Sequence, residues 1–334
     1  EIKECDWSSD VCSSDLYVYS GYNNGAEWWQ TDDDDGVGSG PTAVSLSDFT
    51  ANDNNLWQWD IAYDSGGTGN LTVMGHPGQN LEHIDSTVNT PVLIGDFPGG
   101  AMAAVADTAG AHASGNNIEV SGGCCMLYPY LFVYGNNGLI KNSSAGNFAA
   151  WNNVDYPDAN ENNVSATKIV KGMPLRGGTT SPAGLFWSLD ALVRVTYAPQ
   201  TVGASTLYWR YDLISSQSSI MSSQCVVEYD GIYYWIGIDR FLSYNGVVQE
   251  VPNQMNMNWF FDNLNYTQRQ KVWATKVPRW GEIWWFYPRG DATECTDAII
   301  FNVREQVWYD AGQALGARRS AGTFSEVFRF PIWA

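Results

Sequence analysis

Histidine, basic side chains and long apolar runs are all scarce in this chain. Of 334 residues, three are histidine and 17 are lysine or arginine, against 36 aspartate and glutamate, a formal net charge of −19. Phosphate grooves need clustered Lys and Arg, so this balance argues against sequence-specific nucleic-acid binding. No run of eighteen apolar residues occurs, so no segment reads as a membrane-spanning helix. His76, His83 and His112 are spaced too irregularly for a compact metal motif. No G-x-S-x-G elbow is present, so a serine nucleophile has no local support. Repeated S-x-D-x-G-x-T-W boxes, which a sialidase-like propeller would carry, are also missing. Glycosidase chemistry asks only for two carboxylates across a cleft, which one sequence does not reveal. The chain therefore reads as non-enzymatic, with no catalytic residue, no cofactor and no metal site assigned.

What is there begins with a foreign segment. Asp6-Trp7-Ser8-Ser9-Asp10-Val11-Cys12-Ser13-Ser14-Asp15-Leu16 matches the translation of a common short-read library adapter, and Glu1-Ile2 and Cys5 fit its flanks. The competing reading is a polar Ser/Asp-rich tail. Residues 1–16 are set aside as non-native. They hold five acids and one base, so the remaining 318 residues carry −15 and four of the six cysteines. That length suits one large or two ordinary domains and buries a core without staples.

Cys124, Cys125, Cys225 and Cys295 lack C-x-x-C spacing and read as buried free thiols. The sequons at Asn70, Asn142, Asn163 and Asn265 are what chance supplies in a chain rich in Asn, Ser and Thr. Thr31-Asp32-Asp33-Asp34-Asp35-Gly36 is the sharpest polar cluster. It lacks the spaced later ligands of a calcium loop and reads as a solvated acidic loop.

Residues 17–115 alternate short apolar bursts (56–59, 71–74, 92–94) with turn formers such as Ser65-Gly66-Gly67 and Pro98-Gly99-Gly100. From Ile118 onward one element returns: strand, Gly-closed turn, strand. It occurs at 130–141, 185–197, 232–246 and 282–309. Hairpin starts recur every ~45–55 residues, which with the aromatic load predicts an all-β fold of propeller blades. A flat sandwich gives evenly spaced strands too. One helix is expected over 252–264, opened by Pro252, about three turns long, with Trp259 and Phe260 facing the sheet. In the pairs Trp28-Trp29, Tyr233-Tyr234 and Trp284-Trp285, alternation places one ring in the core and the other against the next blade or solvent. Trp235 and Trp284 are the expected core anchors.

The run from Tyr234-Trp235-Ile236-Gly237-Ile238-Asp239-Arg240-Phe241 to Asn245-Gly246, then Pro252, then Glu282-Ile283-Trp284-Trp285-Phe286-Tyr287-Pro288, then Ile300-Phe301-Asn302 with Val307-Trp308-Tyr309, resembles virion structural proteins of short-tailed bacteriophages. The relatives it resembles are the propeller-bearing tail nozzle or hub proteins below the portal and its adaptor. The resemblance covers about residues 118–334 and is strongest over 230–310. It implies residence in the virion, a homo-oligomeric ring of six, and contacts with neighbouring tail and adaptor proteins around a DNA exit channel. An acidic lining would let DNA slide past it. It implies no catalytic motif and no membrane association. It also implies that residues 17–334 form one propeller-like structural domain truncated at both ends, since 330–334 read as the middle of a blade. The alternative is a secreted carbohydrate-binding or glycan-hydrolysing propeller; a surface adhesion module stays open as well.

Overall fold

The computed structural model describes residues 17–22, 25–30, 42–45, 56–64, 69–75, 82–85, 92–93, 122–148, 150–151, 153–176, 182–203, 205–253, 257–311, 318–324 and 331–333. The adapter-like segment 1–16, the acidic run 32–35, His76, His112 and the side chains of Trp28, Trp29 and His83 lie outside the described residues.

More than half of the described residues lie in strands, and few in helical turns. β1 (Tyr17–Tyr22), β2 (Gly25–Gln30) and β3 (Thr42–Ser45) form a three-stranded antiparallel sheet. Five four-stranded meanders follow. The first comprises β4 (Gln58–Asp64), β5 (Gly69–Gly75), β6 (Glu82–Asp85) and β7 (Val92–Leu93). The second comprises β8 (Gly123–Leu127), β9 (Tyr130–Tyr134), β10 (Leu139–Asn142) and β11 (Asn160–Asn163). The third comprises β12 (Ile169–Pro174), β13 (Ala183–Ser188), β14 (Leu192–Val202) and β15 (Ser205–Ser215). The fourth comprises β16 (Val227–Tyr229), β17 (Ile232–Ile236), β18 (Phe241–Tyr244) and β19 (Val248–Glu250). The fifth comprises β20 (Trp273–Val277), β21 (Glu282–Tyr287), β22 (Asp297–Asn302) and β23 (Val307–Asp310). A two-stranded sheet, β24 (Gly322–Thr323) with β25 (Ile332–Trp333), ends the described chain.

Every sheet runs in sequence order, and first strands of successive sheets lie side by side: β4 on β8, β8 on β12, β16 on β20. No sheet closes on itself. This is an all-β, propeller-like architecture, as the hairpin period predicts. The second strands of the last four meanders begin at Tyr130, Ala183, Ile232 and Glu282, a spacing set by one blade per unit of sequence. The turns follow local rules: Asp230-Gly231 carries φ of 49° and 79°, the left-handed pair that joins β16 to β17 in a two-residue hairpin.

Aromatic rings fill the wedges between blades. Phe186 on β13 meets Phe132 and Tyr134 of β9 at 5.7 Å each, while its neighbour Trp187 turns the other way onto Trp235 of β17 at 5.7 Å, edge on. Adjacent strand residues point to opposite faces, so each blade offers one ring to each neighbour. Phe241 of β18 then meets Trp285 of β21 at 5.7 Å and Trp308 of β23 at 4.5 Å.

Two expectations change in detail. Of the two chosen anchors, Trp235 is fully buried but Trp284 is only half-buried; the core ring is Trp285, whose indole N–H donates to the Cys225 carbonyl at 2.9 Å. In Tyr233-Tyr234, as expected for one core ring and one against the next blade, both rings are buried, Tyr233 meeting Trp187 and Tyr234 meeting Phe301. The helix α1 spans only Met257–Asn263. Pro252 does not open it, since the Pro252 carbonyl accepts the Trp308 indole N–H at 2.8 Å, tying that segment to β23. Phe260 enters the core against Phe241 and Tyr287, as expected, whereas Trp259 lies half-buried under the Arg289 guanidinium.

Candidate functional site

Side-by-side first strands bring together residues far apart in sequence, and the polar chemistry of the chain concentrates there. Asp60 of β4 accepts from the backbone N–H groups of Met126 (2.7 Å) and Ile61 (2.8 Å), which couples the first meander to β8. Burial pushes its carboxyl above the usual range, partly offset by those two bonds and by the field of Lys171 on β12. Burial also pushes the Lys171 ammonium below its usual value, with Asp60 opposing the shift. Asp60 and Lys171 thus lie on the first strands that flank β8, each within the other's field.

Two thiols lie on β8 itself. Burial drives Cys124 and Cys125 well above the ordinary thiol range, and the Asp60 charge adds to it. Cys225 is raised by burial, and Cys295 is pushed up to about 12. All four are free and buried, as read from the sequence. Only the thiolate is a competent nucleophile or soft metal ligand, so these sulfurs are inert packing groups near neutral pH. Among the described residues no three His, Cys, Asp or Glu side chains converge as a metal set.

A second polar knot starts from Gln58, two residues before Asp60 on β4. Gln58 Nε2 donates to Ser223 Oγ at 3.3 Å, and Gln224 Nε2 donates to the Trp57 carbonyl at 3.3 Å. These bonds join the first meander to the segment leading into the fourth. Gln224 also forms a parallel bridge with Trp273 of β20, its carbonyl accepting from Ala274 N–H at 2.9 Å. Glu228 of β16 then pairs with Lys276 of β20 at 3.3 Å and with Arg176, just past β12, at 3.6 Å. One carboxylate therefore links three consecutive blades. Its other oxygen accepts Gly231 N–H at 2.7 Å and secures the hairpin.

Sequence reading singled out none of Asp60, Lys171 or Glu228. Lys171 and Glu228 are each one charge in a short strand and Asp60 shares β4 with Asp64, while their partners lie in other blades; a charge inside a largely apolar strand is the local signal. Of the sequons, Asn142 is buried, its amide donating to the Ser143 and Asp158 carbonyls, and Asn265 donates to the Ala292 carbonyl.

No protein-family model matches the chain, and no curated protein matches it. Solved structures share its outline at low similarity. The extracellular domain of a one-component system from B. thetaiotaomicron gives a TM-score of 0.42 at 10% identity, covering 80% of this chain and 29% of that one. The chain thus spans under a third of that structure's length. BBS1N, solved in complex with ARL6DN, gives 0.37 at 10% identity, covering 88% of this chain and 73% of that one. The computationally designed Ika8 protein gives 0.43 at 9% identity, covering 93% and 75%. The fold assignment rests on strand order and first-strand contacts, not on these likenesses.

Proposed function

We propose that this chain is a non-enzymatic structural component of a short-tailed bacteriophage tail, of the nozzle or hub type, contributing to assembly around the DNA exit channel. The observation that carries the structural part is the use made of charge at the first strands. Glu228, Arg176 and Lys276 fasten three blades together, and Asp60 holds β8 by its backbone. A rim organised this way is a brace. The inert thiols support the same reading, since none is poised for covalent chemistry. The phage assignment draws on the resemblance over residues 230–310, and the acidic balance of the chain suits a surface along which DNA slides without sticking.

Genomic neighbourhood tests the assignment most directly. Portal, adaptor or capsid genes beside this reading frame are the expected finding. Neighbouring glycan-degrading genes, together with hydrolysis of a polysaccharide by the purified protein, would replace it with the secreted carbohydrate-active reading.

A further inference from the structure

The outermost strands of the meanders differ sharply in length. β7 has two residues, β11 four, β19 three and β23 four, but β15 has eleven. Short outer strands leave little to pair with, which is how sheet edges are usually blunted. β15 is not blunted. Its inner side pairs with β14 between Ser205 and Ser215, with register shifts at Tyr208 and Ile214, and among the described residues no strand lies on its outer side. Leu207 and Leu213 on this strand are 51% and 61% exposed. A long, apolar-flanked edge with unpaired backbone groups is a template for another strand.

The sequence of the edge says which strand fits. In antiparallel pairing, directly opposed residues must both turn their backbone groups toward the partner or both away, so a twofold axis has to pass through a residue and not between two. Centring it on Arg210 or on Asp212 opposes two like charges, which destabilises a strand pair. Centring it on Tyr211 sets Arg210 of each copy opposite Asp212 of the other. It also sets Trp209 opposite the exposed Leu213, all within the stretch 209–213 that pairs with β14 without a register shift. Within one chain, Asp212 already receives Arg194 and Arg210 at 3.0 Å each, so the pairing completes a ladder of alternating charge on one face.

We propose that β15 is a homodimerisation edge, pairing antiparallel with β15 of a second copy about a twofold axis through Tyr211 and fusing two four-stranded blades into one eight-stranded sheet. The proposal does not rest on the phage reading. Such an isologous contact makes pairs, so it is separate from the contacts that would close a cyclic ring around a channel.

Light scattering on the eluting protein gives the first test, with a mass of twice 36.9 kDa expected. Arg210→Glu places like charges opposite one another in both copies and should return the monomer mass with an unchanged far-ultraviolet spectrum. Register is tested separately in a Cys5→Ser, Cys12→Ser background, the remaining described cysteines being buried. Arg210→Cys mixed with Asp212→Cys should form an intermolecular disulfide under mild oxidation, and neither variant alone should. A monomeric parent protein, a dimer indifferent to Arg210→Glu, or a disulfide formed by either variant by itself would each overturn the proposal.

Discussion

Glu228 and Lys276 stand 3.3 Å apart on the first strands of adjacent blades, and Arg176 reaches the same carboxylate from a third blade at 3.6 Å. The Glu228 side chain is only 10% exposed. Its charge is therefore balanced by two cations from elements 48 or more residues away in sequence, and by the Gly231 N–H.

Replacing that carboxylate removes the tie and leaves Lys276 half-enclosed without its partner. Glu228→Ala should cost about 2 kcal/mol, below the range for a fully buried pair because Arg176 is exposed. Urea unfolding gives the value. A midpoint within error of the parent protein's would show that the knot adds nothing to stability.

The tryptophans should rank by burial. Trp235→Ala and Trp285→Ala each empty a closed wedge and should cost about 3–5 kcal/mol. Trp284→Ala removes a half-buried ring that packs on Trp333 and Phe286, and about 1–2 kcal/mol is expected. Equal losses at 284 and 285 would mean that the strand's faces are assigned wrongly.

Cys124, Cys125, Cys225 and Cys295 should resist thiol reagents at neutral pH until the protein unfolds, because burial holds all four in the thiol form. Peptide mapping after alkylation of the native protein reads this directly. Fast modification of Cys124 or Cys125 would contradict the shielding of β8.

Asp60 should make stability fall as pH rises out of the acid range. Its folded pKa is raised, so between the unfolded value near 4 and the raised one, the native state holds a proton that the unfolded state has lost. Stability contributed by the protonated form is present below that window and lost through it. Asp60→Asn removes this slope, and its stability relative to the parent should improve as pH rises through the window. A difference that stays constant with pH, measured by thermal melts across the series, would remove Asp60 from the account.

The strand–turn–strand cadence was legible in sequence because its causes are local. Alternating aromatic residues suit a pleated strand, and Asp230-Gly231 or Asn137-Gly138 closes a turn by its own backbone preference. Length, spacing and the cysteine pattern were enough to anticipate an all-β chain of repeated blades with free thiols. Which ring of a pair enters the core was not legible. Trp284 and Trp285 have the same chemistry, and only the position of β18 and β23 makes one central. The helix falls within the expected 252–264 span but starts after Pro252, which is held by Trp308, 56 residues further on.

The sequence by itself determined where strands begin and turn, because those choices depend on neighbours within a few residues. The tertiary structure alone decided which charges meet. Asp60 finds the Met126 N–H, and Glu228 finds Arg176 and Lys276, only because blades packed side by side bring their first strands together. It also decided that β15, a long strand, has no neighbour on its outer side among the described residues, since a strand's outer side is free or covered according to what packs beside its blade. No residue within the strand encodes that.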